Sequence, residues 1–322
     1  MDETRAHAED VRVLENGAGW LPLAGESLVR VSGRGHPEAL QRVLSQDVLR
    51  LRPGEGALAL LLAPKGQFRA IMGVFAGVEA SFLLAPPGRG ADLSRALNTY
   101  LRLSRCTAEP VTAAGEIALL GARFRESVDA AGGAALPEGG WVEVPGVLWF
   151  GRTLFGVPGA VAVAHDAEAL AVLRAALGAA GARPLSEKAV ELARIRAGWP
   201  AWGAELTETV LPPEAGIEEE TISYSKGCYV GQETLARMRT YGHPTRGLAG
   251  LRQLAGSGEK PALPVPLSAL GEEKSRGTLT SWGWHPGCGG VGLALVRREL
   301  TEPGTRLTGD GREFEVTPLP LW

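Results

Sequence analysis

Two apolar runs, Ala57–Leu62 and Phe68–Phe75, are joined through Pro64-Lys65-Gly66. A turn this short cannot hold the crossover helix that parallel strands need, so the runs pair as an antiparallel hairpin. The surroundings repeat the theme. A strand is expected at Leu28–Val31, a helix at Pro37–Leu49 with its proline in the first turn, a strand at Ser81–Ala85 and an amphipathic helix at Ala91–Leu103. Hairpins outnumber crossover units, and the expected class is therefore α+β rather than a doubly wound sheet.

A second passage of the same texture begins near Glu116. It offers a strand at Ile117–Leu120, a helical stretch at Arg125–Ala131, strands at Trp141–Val144 and Leu148–Phe150, and helices at Asp166–Gly178 and Ser186–Ala197. Ser186 is a good N-cap. The layout is that of two related halves, without a residue-level repeat. Residues up to about Gly25 read as a loosely attached arm with an edge strand. Leu251–Ser275 is rich in Pro, Gly, Ser and Leu and has no helical period. After it come short strand candidates at Gly277–Trp282, Gly289–Val296, Thr305–Leu307 and Glu313–Val316, separated by Gly and Pro turns. These read as a small closing β-barrel or sandwich. With the boundary near Thr245, the expected division is a body over 1–245, split at about 26–112 and 113–245, and a β unit over 246–322.

Composition narrows the function classes. The 322 residues are 45% hydrophobic and 21% charged, with a formal net charge of −3. That balance has no global attraction for nucleic acid or anionic lipid, although a local basic cleft is compatible with it. Three cysteines occur, Cys106, Cys228 and Cys288, with no CxxC pair or zinc spacing, as in a reducing compartment. The N-terminus is charged and lacks the apolar core of a signal peptide, and the longest apolar run, Ala57–Pro64, is too short to span a bilayer. A cytoplasmic, soluble protein with no direct nucleic-acid role and no metal site is expected.

The informative stretch is Tyr224-Ser225-Lys226-Gly227-Cys228-Tyr229-Val230-Gly231-Gln232-Glu233-Thr234. Two glycines bracket a cysteine and a tyrosine just before a helix-competent run, Gln232 to Thr240. Gly227 and Gly231 let a ligand approach the chain. A helix N-terminus and Lys226 both favour a thiolate, so a partly exposed Cys228 should have a lowered pKa. Two readings stand: a small buried hydrophobe in a tight turn, or a thiol that contacts a ligand. Glu233 and Arg237 lie at i, i+4 and can pair on the helix.

Lys226-Gly227-Cys228-Tyr229-x-Gly231-Gln232-Glu233 resembles the signature of the YgfZ family, folate-binding relatives of the glycine-cleavage T-protein. Arg194-Ile195-Arg196-Ala197-Gly198-Trp199-Pro200, Gly203-x-Glu205-Leu206 and Leu211-Pro212-x-Glu214-Ala215-Gly216 resemble the stretch before that signature. Gly277-x-Leu279-Thr280-Ser281 and Leu293–Arg298 are similar to the family's terminal barrel. The resemblance implies an aminomethyltransferase-like fold of two related subdomains around a central channel, with the barrel behind. It implies a tetrahydrofolate or one-carbon derivative as cofactor, and iron–sulfur client or assembly proteins as partners, including enzymes that modify tRNA. Cys228 is then the functional thiol, with Lys226, Tyr229, Gln232 and Glu233 around it. Arg194 and Arg237 join Lys226 as candidates for the glutamate tail, and Trp199, among Trp202, Trp282 and Trp284, as a stacking platform for the pterin.

The alternative is a folate-dependent aminomethyltransferase. T-proteins place an acidic pair after the hairpin turn, where this chain has Arg69 and Ala70, and an acid on the strand after Gly156, where it reads Val157-Pro158-Gly159-Ala160-Val161-Ala162. An arginine can neither accept a proton nor hold a developing cation as a carboxylate does.

Overall fold

The first segment departs from the expected loose arm. The computed structural model describes residues 2–321, and in it Asp2–Asn16 is a helix, α1. Val11 packs beside Leu192 and Ile195, and Leu14 joins the main core. Three of its acidic residues have tertiary partners: Asp10 Oδ2 accepts from Ser186 N and Oγ at 3.0 and 2.6 Å, Glu15 meets Arg196 at 3.2 Å, and Glu9 pairs with Arg183. The helix is hard to see in sequence because charge dominates its composition, and over residues 8–16 only Leu14 is buried, flanked by half-buried Val11 and Val13. The strand that follows, β1 (Gly19–Leu23), also departs from expectation. It lies inside a sheet rather than at an edge.

The predicted hairpin forms the start of a five-stranded antiparallel sheet. It comprises β2 (Leu28–Ser32), β3 (Gly56–Leu62), β4 (Phe68–Phe75), β5 (Ala80–Leu84) and β6 (Thr107–Pro110), in the order β3-β4-β5-β2-β6. Helices α2 (His36–Val43) and α3 (Gly90–Leu101) contribute Leu40, Leu97 and Leu101 to the same core as Val31, Leu61, Met72 and Leu83 of the strands. Helix α2 stops six residues earlier than the expected Leu49. Leu44 turns extended and bridges Leu61, and Ser45 N donates to Leu60 O at 3.0 Å. Pairing with β3 thus ends the helix, and only a 3-10 turn at Val48–Arg50 follows.

The second sheet is built from β7 (Gly115–Leu120), β8 (Trp141–Val144), β9 (Val147–Leu154), β10 (Val157–Ala164) and β11 (Arg183–Pro184), with β1 inserted, in the order β11-β1-β7-β10-β9-β8. Helices α4 (Phe124–Val128), α5 (Ala167–Ala179) and α6 (Glu187–Ala197) accompany it. Asp166 and Ser186 cap α5 and α6 by accepting from Ala169 N and Ala189 N, satisfying donors that a helix start leaves free. Phe75 and Phe150 meet at 4.9 Å and Phe82 and Trp141 at 4.8 Å between centroids, which joins the two sheets. Buried Glu116 reinforces the joint by accepting from Ser27 N at 2.9 Å, Leu28 N at 3.3 Å and the Ser27 hydroxyl.

After a short helix α7 (Glu218–Thr221) and α8 (Gln232–Tyr241), the chain closes a six-stranded barrel. Its strands are β12 (Arg246–Ala255), β13 (Val265–Ala269), β14 (Ser275–His285), β15 (Gly289–Arg297), β16 (Arg306–Gly309) and β17 (Arg312–Thr317), in the order β12-β15-β14-β13-β16-β17. Strands β12 and β13 include residues of the Pro- and Gly-rich stretch for which no strand was expected. Glycines and a proline weaken their local β signal, and closure supplies each with partners on both edges. Trp282 and Phe314 fill the barrel core, 6.1 Å apart, so Trp282 serves packing rather than a ligand. The barrel docks on α6, where Leu192 and Ile195 pack with Val291 and Leu293. Among the described residues no helix is long and apolar enough to cross a membrane.

Candidate functional site

Where the two sheets diverge, a cavity of about 500 Å3 opens beneath the segment that follows α6. Its walls combine β1 (Leu21, Leu23), Ile71 of β4, Leu84 of β5, Ala118 of β7, Val161 of β10, Val190 of α6 and the segment Trp199–Leu206. Phe155, Trp199 and Trp202 contribute the aromatic surface. An apolar pocket of this size with a few placed polar groups is the usual form of a small-molecule site.

The charged residues in the wall have distinct surroundings. Arg152 reaches across from β9 to β5 and donates from Nη1 to Leu84 O at 3.1 Å. Burial lowers its pKa to about 10. The guanidinium lies over Gly73, where an added Cβ would stand 2.9 Å from Nη1, so the glycine makes room for the arginine. Arg89 lies over the Trp202 ring at 5.2 Å and pairs with Asp92 at 3.0 Å.

Arg194 lines the same cavity, yet its guanidinium is claimed by protein. Nη1 donates to Trp199 O at 2.6 Å and Glu205 Oε2 at 3.1 Å, and Nη2 to Glu191 Oε1 at 2.6 Å and Ser281 Oγ at 2.5 Å. Glu205 is fully buried and accepts also from Ala201 N at 2.9 Å, Thr280 Oγ1 at 2.5 Å and Ser281 Oγ at 2.6 Å. This cluster fastens the cavity's cover to α6 and to the barrel. A ligand's glutamate tail would have to compete with four protein acceptors for Arg194, so the structure assigns this side chain to positioning the wall.

The Tyr224–Thr234 segment packs on the β3–β4 turn. Gly231 has φ of +83°, and a Cβ there would lie 2.5 Å from Ala63 O and 2.9 Å from Leu62 Cβ. Only glycine fits both the left-handed conformation and the contact. Lys226 is buried, and Nζ donates to the carbonyls of Gln41, Leu44 and Gln46 at 2.7, 2.7 and 2.8 Å. All three ammonium protons are thus used to clamp the loop to the C-terminal end of α2, where carbonyls and helix dipole favour a cation. Burial lowers its pKa to about 8. Tyr229 is buried beneath Lys226, with Nζ 5.2 Å from the ring centroid, and burial raises its pKa. Tyr224 is likewise pushed up to about 12, by burial and then by the charge of Glu218.

Cys228 itself is exposed, which removes the reading of a small buried hydrophobe. Gln232 opens α8 and its Oε1 faces Tyr229 N at 3.4 Å. Glu233 and Arg237 form the expected i, i+4 pair at 2.6 Å, with both side chains largely in solvent. The structure therefore separates the sequence candidates. Trp199 and Arg194 line the cavity. Lys226, Cys228, Tyr229, Gln232, Glu233 and Arg237 do not; they belong to the separate loop and helix that carry the exposed thiol, with Lys226 and Tyr229 buried in its base. Trp284 is exposed on the barrel. Arg152, Phe155 and Arg89 went unnoticed in the sequence. The signal available was a lone arginine in the otherwise apolar start of β9, Val-Leu-Trp-Phe-Gly-Arg.

No family model matches the chain. Over 144 residues, 44% of this chain, it is 35% identical to a chloroplastic protein of Arabidopsis thaliana named as a candidate transferase, of whose length the match spans 32%. It is 27% identical over 315 residues to an aminomethyltransferase of Geobacillus kaustophilus, covering 92% of this chain and 85% of that one. Its fold is that of the glycine cleavage system aminomethyltransferase T from Bartonella henselae, with a TM-score of 0.88 over 98% of this chain and 89% of the other at 19% identity. The aminomethyltransferase-like α+β architecture with a closed C-terminal barrel is thereby established.

Proposed function

From this fold and from aminomethyltransferase relatives that span nearly the whole chain, we propose a YgfZ-type protein that binds tetrahydrofolate or a one-carbon derivative and supports iron–sulfur client enzymes. The observation that carries the reading is the division of the molecule into an apolar, aromatic cavity and a separate exposed thiol. In this reading residues 1–245 form the folate-binding body and 246–322 the barrel behind it. The cavity suits the cofactor: Phe155, Trp199 and Trp202 offer faces to a flat heterocycle, while Arg152 and Arg89 offer donors to its acceptors. When bound, the folate supplies a carrier for a one-carbon unit. The chain's own residues bind and orient it and shield it from water.

Cys228 lies outside that cavity on an exposed loop fixed by Lys226 and Gly231, a placement suited to meeting another protein. The aminomethyltransferase alternative has names in its favour and chemistry against it. Arg69, in the place of the expected acid, pairs with Glu208 at 3.1 Å, and Val157–Ala164 carries no carboxylate. The carboxylates in the cavity wall are Glu187 and Glu191, and the latter is engaged by Arg194.

The test is a fluorescence titration of tetrahydrofolate and its one-carbon forms into wild type and Cys228→Ala. Saturable quenching with equal affinity in both, together with failure of Cys228→Ala to restore iron–sulfur enzyme activity in cells lacking the protein, is the expected result. No saturable binding by wild type would overturn the folate assignment. Full restoration by Cys228→Ala would overturn the role of the thiol.

A further inference from the structure

At one end of the barrel, three arginines stand in a row on neighbouring strands. Arg246 of β12 is directly opposite Arg297 of β15, and the pairing of Gly277 with Val296 puts Arg276 of β14 next in line. Like charges directly opposite one another weaken a sheet, so such a row is retained against its own repulsion. Two of the three are held from behind. Glu214 takes Arg246 through two bonds of 3.0 Å each, and Glu272 and Glu299 approach Arg276 at 2.7 and 3.4 Å. Arg297 is exposed, and among the described residues no carboxylate lies within ion-pair distance of it.

The row lines a groove of about 570 Å3 between the barrel and the segment after α6. Thr207 and Thr209 face it from that segment and Thr278 from β14, and none of its lining residues is acidic. It shares no lining residue with the cavity between the sheets. Trp199, Ala201, Trp202 and Leu206 face the cavity, whereas Gly203, Ala204, Thr207 and Thr209 face the groove. One stretch of chain therefore walls two separate compartments. The net charge of −3 gives the whole molecule no attraction for anions, and Glu214, Glu272 and Glu299 offset Arg246 and Arg276, so the positive charge offered to the groove is chiefly that of Arg297.

We propose that this groove binds a small phosphorylated ligand, whose phosphoryl oxygens are taken chiefly by Arg297, together with the threonine hydroxyls and the donors of Arg246 and Arg276 that Glu214, Thr209 O, Glu272 and Glu299 do not engage. Guanidinium forks arriving from three strands, joined by hydroxyl donors from a second wall, approach from several directions. That suits a tetrahedral oxyanion better than a planar carboxylate. The carboxylates of Glu214, Glu272 and Glu299 hold two of the arginines in place, so the site is organised before the ligand arrives. The proposal does not depend on what occupies the cavity between the sheets.

The experiment is calorimetric titration of pyrophosphate into the full chain at physiological salt, with citrate as the polycarboxylate arm. One-site binding is expected, weakened roughly tenfold or more by Arg297→Gln, with citrate at least about tenfold weaker than pyrophosphate. Because Arg297 is exposed and repelled by its neighbours, the unliganded Tm of Arg297→Gln should hold or rise, while the rise in Tm on adding pyrophosphate is lost. A purely structural arginine would lower the unliganded Tm instead. Arg276→Gln provides a second variant, expected to weaken binding in the same direction. Absence of saturable pyrophosphate binding, or wild-type affinity retained in both Arg297→Gln and Arg276→Gln, overturns the site. Citrate binding as tightly as pyrophosphate overturns the phosphoryl assignment.

Discussion

Glu205→Gln tests how strongly the buried cluster fastens the cavity's cover to α6 and the barrel. The carboxylate is wholly buried and receives four donors: Arg194 Nη1, Ala201 N, and the hydroxyls of Thr280 and Ser281. The amide keeps the shape and one acceptor oxygen, but its NH2 must face either Arg194 and Ala201, which are donors, or the two hydroxyls, which can reorient. The second arrangement is the milder one. It still leaves Arg194, itself only 2% exposed, with one buried counter-charge fewer. Breaking a buried pair by removing one partner costs about 3–5 kcal/mol, and the retained oxygen and adaptable hydroxyls bring the expectation to about 3 kcal/mol. For a cooperative transition of a chain this long, that is a fall in Tm of roughly 4 °C. Scanning calorimetry of wild type, Glu205→Gln, Arg194→Met and the double variant measures both the loss and the coupling, expected at about 2 kcal/mol. A Tm change below about 1 °C for Glu205→Gln, or full additivity in the double variant, would refute the reasoning.

Two further predictions concern the loop that carries Cys228. Gly231→Ala places a Cβ at φ of +83° and 2.5 Å from Ala63 O; the conformation alone costs about 1–2 kcal/mol and the backbone contact adds to it, so the urea midpoint should fall and limited proteolysis near Gly231 should quicken. Unchanged midpoint and cleavage would show that the loop does not depend on that approach. For Lys226, burial sets a folded pKa of about 8 against 10.5 in the unfolded chain, so between those values the unfolded state binds more protons and this group's contribution to stability rises with pH. Lys226→Met should be less stable at neutral pH because three buried carbonyls lose their donor, and its Tm should lack the rise that Lys226 contributes to wild type above about pH 8. Parallel Tm profiles for the two proteins from pH 7.5 to about 10.5 would refute the assignment.

Local chemistry was legible in the sequence by itself. The Pro64-Lys65-Gly66 turn, the strand Phe68–Phe75, the cap Ser186, helix α8 and the Glu233–Arg237 pair all depend on neighbours within a few residues, and the structure contains each of them. The Lys226–Glu233 signature was equally visible as a special loop ahead of a helix. What that loop does with its residues was decided in three dimensions. Lys226 reads as a charge beside a thiol, yet it binds three backbone carbonyls about 180 residues away along the chain. Every residue carries a carbonyl, so no pattern of side chains marks the ones that will be gathered at the end of α2.

The same reason hid the cavity. Its walls come from residues between Leu21 and Leu206 on separate strands, a helix and a loop, and neither Arg152 nor Phe155 is distinguished until folding brings them beside Trp199 and Trp202. Helix α1, charged along most of its length, was read as a loose arm because its partners Arg183, Ser186 and Arg196 lie more than 170 positions on. Strands β12 and β13, weakened locally by glycine and proline, are strands because a closed barrel pairs them on both sides. Short-range periodicity, turn chemistry and caps act through neighbours in the chain and can be read from sequence. Burial, long-range pairing and the sharing of donors act between segments that only folding brings together, and these decided where the cavity lies and which side chains face it.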